Sequence, residues 1–327
     1  MFGEVSGTLE TAGGYAEPLG FVVLGLFLVG ILLEYYDRRY ARLVFGAGWV
    51  VFALFWLVLI YPWFAIDQSA IRGVGAVLAA PLSLLVARSL YKGRDSLFTL
   101  SRAVTVMGLV YAPFVTVRAL RRWLILTVTG QTEWVMTLLG YDPALMVNTP
   151  DGRLLGPDGI KEFPFENTFV FFQDGGGTVT YTIVIACTGI GSMAVMVGLI
   201  AAVRAPLRRK LRGLAIAVPI IYVLNIVRNV FIGLSFGNQY MHLFPDATMW
   251  LFGEDNPLRV SYIWADRIVA QSLSVVAMIL ILWLVLREVP EVLGPVEDVL
   301  YLLTGTEYDL ADALNVDIDS STPEPAD

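Results

Sequence analysis

The chain has 327 residues, of which 57% are hydrophobic and 16% are charged. Soluble domains carry about a quarter charged residues, so this composition excludes a water-soluble enzyme. Apolar runs of about 20 residues, long enough to cross a bilayer, recur along the chain and predict an all-α polytopic membrane protein. The net charge of −7 is unusual for such a protein, because cytoplasmic loops recruit basic residues, and it places the excess acid in the soluble parts.

Seven transmembrane helices are predicted where apolar runs lie between charged residues. They cover residues 18–34, 43–64, 70–91, 103–117, 181–203, 214–236 and 261–286. Basic residues collect in three connections that alternate to one side, and the positive-inside rule assigns that side to the cytoplasm. The N-terminus then lies outside and the C-terminus inside. The residues before 18 are polar and acidic, so we expect no cleavable signal peptide.

The stretch 119–139 is predicted to be a helix in the membrane interface. Three arginines lie around its start, at the outer end of the fourth span: Arg118, Arg121 and Arg122. We expect them either to contact lipid phosphates or to extend into water. An eighth span here would invert the C-terminal half and place the basic run 204–212 outside, so we favour the interfacial helix.

Residues 140–180 are predicted to form a small extracellular cap with short strands. This segment is rich in Pro, Gly, Asp and Asn, and five phenylalanines are interspersed in its second half: Phe163, Phe165, Phe169, Phe171 and Phe172. Beyond Arg287 there is no Lys or Arg, and we expect an acidic cytoplasmic tail that is hydrated and disordered at its end. Acidic cytoplasmic surface is typical of a high-salt cytoplasm. The predicted divisions are therefore 1–139, 140–180, 181–286 and 287–327.

Three polar side chains are predicted to lie at a similar depth in the outer leaflet. They are Cys187 near the start of the fifth span, Arg228 near the end of the sixth and Arg267 near the start of the seventh. Ionisable residues at membrane depth indicate function by default. Nearby cations favour the nucleophilic thiolate of a cysteine, and a guanidinium suits the oxyanion that forms when a thiolate attacks a carbonyl. Acyl transfer through a thioester is the chemistry that this set supports.

Six further residues are candidates for contacts to substrate or to these three side chains. They are Thr188, Gly189, Asn225, Asn229, His242 and Asp266. The glycines after Cys187 would let a substrate backbone approach closely, and Asp266 would neutralise one of the arginines. We expect His242 to be a loop residue rather than a base. With one cysteine and one histidine, we expect no metal site, no disulfide and no cofactor.

Each of these residues also has a simpler explanation when it is taken alone. A cysteine in an apolar helix is most often a small buried hydrophobe. An arginine near the end of a span usually reaches the interface or pairs with an acid. The glycines would equally serve helix packing.

The segment A-C-T-G-I-G around Cys187, the N-x-x-R that ends at Arg228 and the arginine at 267 together resemble the exosortase/archaeosortase family. The resemblance covers residues 181–286, and the earlier spans resemble the family only in hydropathy. It implies a transpeptidase-like membrane enzyme whose active site faces the extracellular side. The implied substrates are secreted proteins, with S-layer glycoprotein as the typical one, that carry a C-terminal P-G-F type motif, a transmembrane helix and basic residues. Membrane lipid is the implied acyl acceptor.

By position, the resemblance implies that Cys187 is the acyl-thioester nucleophile, Arg228 the proton donor and Arg267 the stabiliser of the transition state. A guanidinium holds its proton too tightly to be a good general acid near neutral pH. We therefore expect both arginines to polarise the carbonyl and the oxyanion. Exosortases have a histidine where this sequence has Arg267, so stabilisation of a thiolate by two cations replaces activation by a base.

Two other functions remain open at this point. The first is a transporter or channel whose intramembrane arginines bind an anionic solute, although the two halves show no convincing internal repeat. The second is a non-catalytic lipid-binding or assembly protein, in which the three arginines at 118–122 matter and Cys187 does not. Nothing in the sequence indicates a nucleic-acid partner.

Overall fold

The structure is a computed structural model and describes a defined part of the chain, residues 14–66, 69–145, 153–156, 159–162, 166–173 and 177–310. Two compact units are present. Among the described residues, the first comprises 14–66, 69–109, 194–217 and 280–310, and the second comprises 110–145, 153–156, 159–162, 166–173, 177–193 and 218–279. The predicted cap residues Phe163 and Phe165 and the acidic residues beyond 310 lie outside the described residues.

The helices of the described residues confirm an all-α polytopic membrane protein. In chain order they are α1 (Ala16–Glu34), α2 (Arg38–Ile66), α3 (Ala70–Tyr91), α4 (Leu97–Thr116), α5 (Arg118–Leu138), α6 (Ile190–Ala202), α7 (Leu207–Gly237), α8 (Pro245–Phe252), α9 (Arg259–Glu288) and α10 (Leu293–Thr304). Six of these, namely α1 to α4, α7 and α9, are apolar and 19 to 31 residues long. At 1.5 Å per residue, even the shortest covers about 29 Å, close to the thickness of the hydrocarbon core.

The predicted fifth span, 181–203, is wrong in its first half. Helix α6 has only 13 residues, while residues 181–189 hold the end of a strand and a 3₁₀ turn, Ile185–Thr188. Gly189 stands between that turn and α6 with φ +76°, a left-handed conformation that interrupts helical geometry. The apolar pattern in this stretch therefore reflects a buried strand and turn as well as a helix.

Helix α5 follows the predicted interfacial stretch 119–139 closely. It is not among the six long apolar helices, because its first turns carry three arginines. One face is buried and contains Leu124, Ile125, Val128, Thr129, Thr132 and Met136. Trp123 and Trp134 are exposed, as expected of aromatic residues at a membrane interface.

The first unit is built on an aromatic core between α1 and α2. Phe27 and Phe45 are completely buried, and the ring of Phe27 lies 5.4 Å from that of Trp49. The indole N–H of Trp49 donates to Ser101 Oγ of α4 at 2.9 Å, so the one polar atom of this ring is satisfied. A side chain at Gly48 would bring Cβ within 2.4 Å of Phe27, so glycine permits the close approach of the two helices.

The first part of the acidic tail is folded in the first unit. A 3₁₀ turn, Pro290–Val292, leads into α10, and Val292 and Leu293 are buried. Asp298 is also buried and accepts hydrogen bonds from Arg94 Nε at 3.2 Å and Ser96 Oγ at 2.8 Å. The expectation of a hydrated tail from residue 287 is therefore wrong for residues 290–304, because Asp298 pairs with Arg94 of the connection between α3 and α4 and Glu291 pairs with Arg209 of α7.

We expect Asp298→Ala to lower the free energy of unfolding by about 1–3 kcal/mol, because it leaves Arg94 and Ser96 without a buried, charged acceptor. Glu307→Ala is the matched control, because Glu307 lies 3.5 Å from the same Arg94 but is 80% exposed. Exposed ion pairs contribute less than about 1 kcal/mol. Thermal unfolding in detergent measures both variants, and equal effects would show that burial of Asp298 is unimportant.

The second unit contains the strands that were predicted for the cap. In the described parts they are β1 (Ala144–Leu145), β2 (Arg153–Gly156), β3 (Gly159–Glu162), β4 (Thr168–Phe172) and β5 (Thr178–Thr182). The order in the larger sheet is β1-β4-β5, antiparallel, and β2 and β3 form a hairpin. Asn167 Nδ2 donates to the carbonyl of Ile183, which fixes the end of β5 just before the turn that carries Cys187.

Candidate functional site

Cys187 lies in the 3₁₀ turn between β5 and α6 of the second unit, and it is half-buried. The hydroxyl of the neighbouring Thr188 donates to the carbonyl of Ile185 at 2.7 Å, which closes the turn. At Gly189 a side chain would be strained by the positive φ and would bring Cβ within 3.0 Å of Asn225 Cγ. Thr188 and Gly189 therefore have conformational roles in holding this turn against α7.

Two asparagines of α7 hold the main chain of Cys187. The Nδ2 atoms of Asn225 and Asn229 both donate to the Cys187 carbonyl, at 2.7 and 2.8 Å. The two residues are four positions apart, so they lie on the same face of the helix. Asn229 is completely buried and its Oδ1 accepts a hydrogen bond from the hydroxyl of Tyr181 at 3.1 Å. Cys187 is thus held in position through its backbone carbonyl.

The charged residues of the second unit meet at Asp266. Arg228 Nη2 of α7 lies 2.5 Å from Asp266 Oδ1, and Arg267 Nη1 lies 3.6 Å from Asp266 Oδ2. All three side chains are largely buried. Asp266 and Arg267 belong to a π-helical segment of α9, Ile263–Ala270, and such segments are frequent at functional sites.

Cys187 belongs to the same cluster as these charges. It interacts electrostatically with Arg228 and with the hydroxyls of Tyr181 and Tyr262. The guanidinium of Arg267 lies 5.3 Å from the centre of the Tyr262 ring. The structure therefore brings Arg228, Asp266 and Arg267 into contact and places Cys187 within electrostatic reach of Arg228, although the sequence has these residues on three separate segments.

The net charge and the buried hydrogen-bond donor of this cluster suit it to bind an anionic or oxygen-containing group. Two guanidinium groups and one carboxylate leave one net positive charge among its described side chains. A thiolate at Cys187 would neutralise that charge. In addition, the Nε atom of Arg228 is buried and has no hydrogen-bond acceptor among the described residues. A buried donor without an acceptor is costly, and an oxygen of a bound substrate would satisfy it.

Tyr181 and Tyr262 were not predicted as site residues. Burial raises the pKa of Tyr181 well above its ordinary value, so its hydroxyl stays protonated and acts as a donor to Asn229. Tyr262 has a weak signal in the sequence, because it lies four positions before Asp266 and hence on the same face of a helix. Tyr181 has none, because only the fold of the sheet brings it to α7.

The remaining candidates lie outside the cluster. His242 is exposed in the connection between α7 and α8, and among the described residues no hydrogen bond or ion pair involves it. Arg118 and Arg122 are exposed in the first turns of α5, and Arg121 donates to the carbonyl of Phe114 at 3.4 Å. Their contact with lipid phosphates stays a prediction.

Comparison with known proteins gives a family and two relatives. The sequence profile described as transmembrane exosortase matches residues 15–253, which include Cys187 and Arg228. Archaeosortase A of Haloferax volcanii is 46% identical over 93% of this chain and 99% of its own length. Archaeosortase A of Natronomonas pharaonis is 39% identical, over 96% of each chain. No solved structure matches.

Proposed function

The chain belongs to the transmembrane exosortase family, and from this membership we propose that it is a cysteine-dependent transpeptidase for C-terminal sorting signals. The signal is a P-G-F type motif followed by a transmembrane helix and basic residues, and the substrates are secreted proteins such as S-layer glycoprotein. The enzyme cleaves near the motif and couples cleavage to attachment of a membrane lipid. Its active site faces the extracellular side of the cell membrane.

The observation that carries this proposal is the fixed position of Cys187 beside a net positive charge. Asn225 and Asn229 hold its carbonyl, and Arg228 interacts with it electrostatically. Cations near a cysteine favour the thiolate, which is the nucleophilic form. This arrangement supplies a nucleophile without a histidine, which agrees with the exposed position of His242.

The reaction proceeds in two acyl-transfer steps. The Cys187 thiolate attacks the carbonyl carbon of the scissile peptide bond, and a tetrahedral oxyanion forms. Collapse of this intermediate makes the thioester and breaks the C–N bond, and the leaving amine takes a proton from water. An oxygen nucleophile of the lipid then attacks the thioester and loses its proton to water. The C–S bond breaks and the thiolate is restored.

The arginines stabilise the oxyanion in both steps. The buried Nε–H of Arg228 has no acceptor among the described residues, and a guanidinium offers a planar array of donors that suits an oxyanion. Arg267 adds a second positive charge from α9 and is joined to Arg228 through Asp266. Neither arginine needs to give up its proton.

Capture of the thioester with hydroxylamine tests this function. Purified protein is incubated with a secreted substrate that carries the C-terminal signal, with and without hydroxylamine. We expect the cleaved substrate to carry a C-terminal hydroxamate, because hydroxylamine attacks thioesters much faster than amides. Mass spectrometry of the new C-terminus measures this product. Cleavage with no hydroxamate at any hydroxylamine concentration would contradict the acyl-thioester.

A further inference from the structure

Asp266 is the residue through which both arginines of the cluster are connected. It is buried, and it contacts Arg228 at 2.5 Å and Arg267 at 3.6 Å. It also interacts with the hydroxyl of Tyr262, one helical turn earlier in α9. Its carboxylate therefore places a negative charge in contact with both guanidinium groups.

This charge has two opposite consequences for the chemistry at Cys187. Asp266 takes only the Nη2 atom of Arg228, and it thereby fixes the plane of the guanidinium while Nε stays without an acceptor among the described residues. At the same time it compensates the positive charge of Arg228, the guanidinium that interacts electrostatically with Cys187. The hydroxyls of Tyr181 and Tyr262 also interact with Cys187, and they are neutral when protonated.

We propose that Asp266 is a positioning residue, which aligns the Arg228 guanidinium for the scissile carbonyl oxygen. By compensating the charge of Arg228, it also makes the Cys187 thiolate less stable than it would be beside an uncompensated arginine. This proposal rests on the function proposed above. Its distinctive consequence is that removal of the carboxylate changes two measurable properties in opposite directions. A residue that only supports the fold would change both in the same direction.

Asp266→Asn is the test, with alkylation and processing measured on the same preparation. Cys187 is the only cysteine in the sequence, so uptake of iodoacetamide by detergent-solubilised protein reports on this thiol alone. We expect the midpoint of the pH profile of alkylation to fall by about 0.5–1 pH unit, because one negative charge near the thiolate is lost. We expect the rate of substrate processing to fall about tenfold or more, because the guanidinium is no longer aligned.

Two further variants separate the effect of the negative charge at residue 266 from the effect of its position. Asp266→Glu retains the negative charge but displaces it, so its alkylation profile should match that of the wild type while processing falls. Asp246→Asn removes an exposed carboxylate from α8 in the same unit, and we expect both properties to be unchanged.

Unchanged processing in Asp266→Asn would overturn the positioning role, and so would a parallel loss of alkylation and processing. Neither result would affect the proposed function, which instead fails if a Cys187 variant still processes substrate.

Discussion

Replacement of Cys187 by serine is expected to abolish processing while the protein remains folded. The two asparagine donors contact the carbonyl of residue 187 rather than its side chain, so the 3₁₀ turn should form normally with serine. A hydroxyl is far more weakly acidic than a thiol, and one net positive charge does not ionise it near neutral pH. We expect the rate of processing to fall by at least about a thousandfold, the scale seen when a catalytic nucleophile is removed.

Asn229→Ala provides the contrasting control for this prediction. It retains the thiol but leaves the hydroxyl of Tyr181 without its acceptor and removes one of the two donors to the Cys187 carbonyl. We expect a lower melting temperature and a smaller loss of processing than in Cys187→Ser. Processing at the wild-type rate in Cys187→Ser would exclude a nucleophilic cysteine, and a large fall in its melting temperature would assign the thiol a packing role.

The helices that the sequence predicts well are those whose apolar residues face lipid. Helices α1, α3, α7 and α9 match predicted spans because their length and hydropathy are set by the bilayer. The stretch 181–203 is different, because hydropathy does not separate a buried strand and turn from a helix. Tyr181 and Ile183 are as apolar as residues of a span, yet they lie in or beside a sheet.

The acidic C-terminal tail shows a different limit of prediction from sequence, namely that composition does not reveal long-range contacts. Its composition predicts hydration, but the pairing of Asp298 with Arg94 depends on two segments that are 204 positions apart, and no local pattern indicates such a contact. The residues around Cys187 were easier to predict from the sequence, because arginines at membrane depth are rare and each one indicates function on its own. The sequence predicted that Asp266 would neutralise one arginine, but it did not reveal that Asp266 contacts both or that Asn225 and Asn229 hold the Cys187 carbonyl.

Replacement of Arg228 by lysine is expected to separate catalysis from simple binding of an anion. Lysine keeps the positive charge but lacks the planar fork, so its one ammonium group cannot both pair with Asp266 and offer a separate, fixed donor to an oxyanion. We expect the rate of processing to fall by about 10²–10³-fold, the usual effect of removing an oxyanion donor. The fold should be retained, since the charge pair with Asp266 is preserved.

The matched control is Arg259→Lys, because Arg259 lies in the same helix as Asp266 and forms an ion pair with Glu254 at 3.1 Å. Arg259 pairs with Glu254, whereas the partners of Asp266 are Arg228 and Arg267, so we expect processing to stay within about twofold of the wild type. A transporter that recognises an anionic solute by charge would respond differently, since Arg228→Lys would preserve solute binding. Near-normal processing in Arg228→Lys would therefore show that charge alone is sufficient, and the planar geometry held by Asp266 would have no role in the reaction.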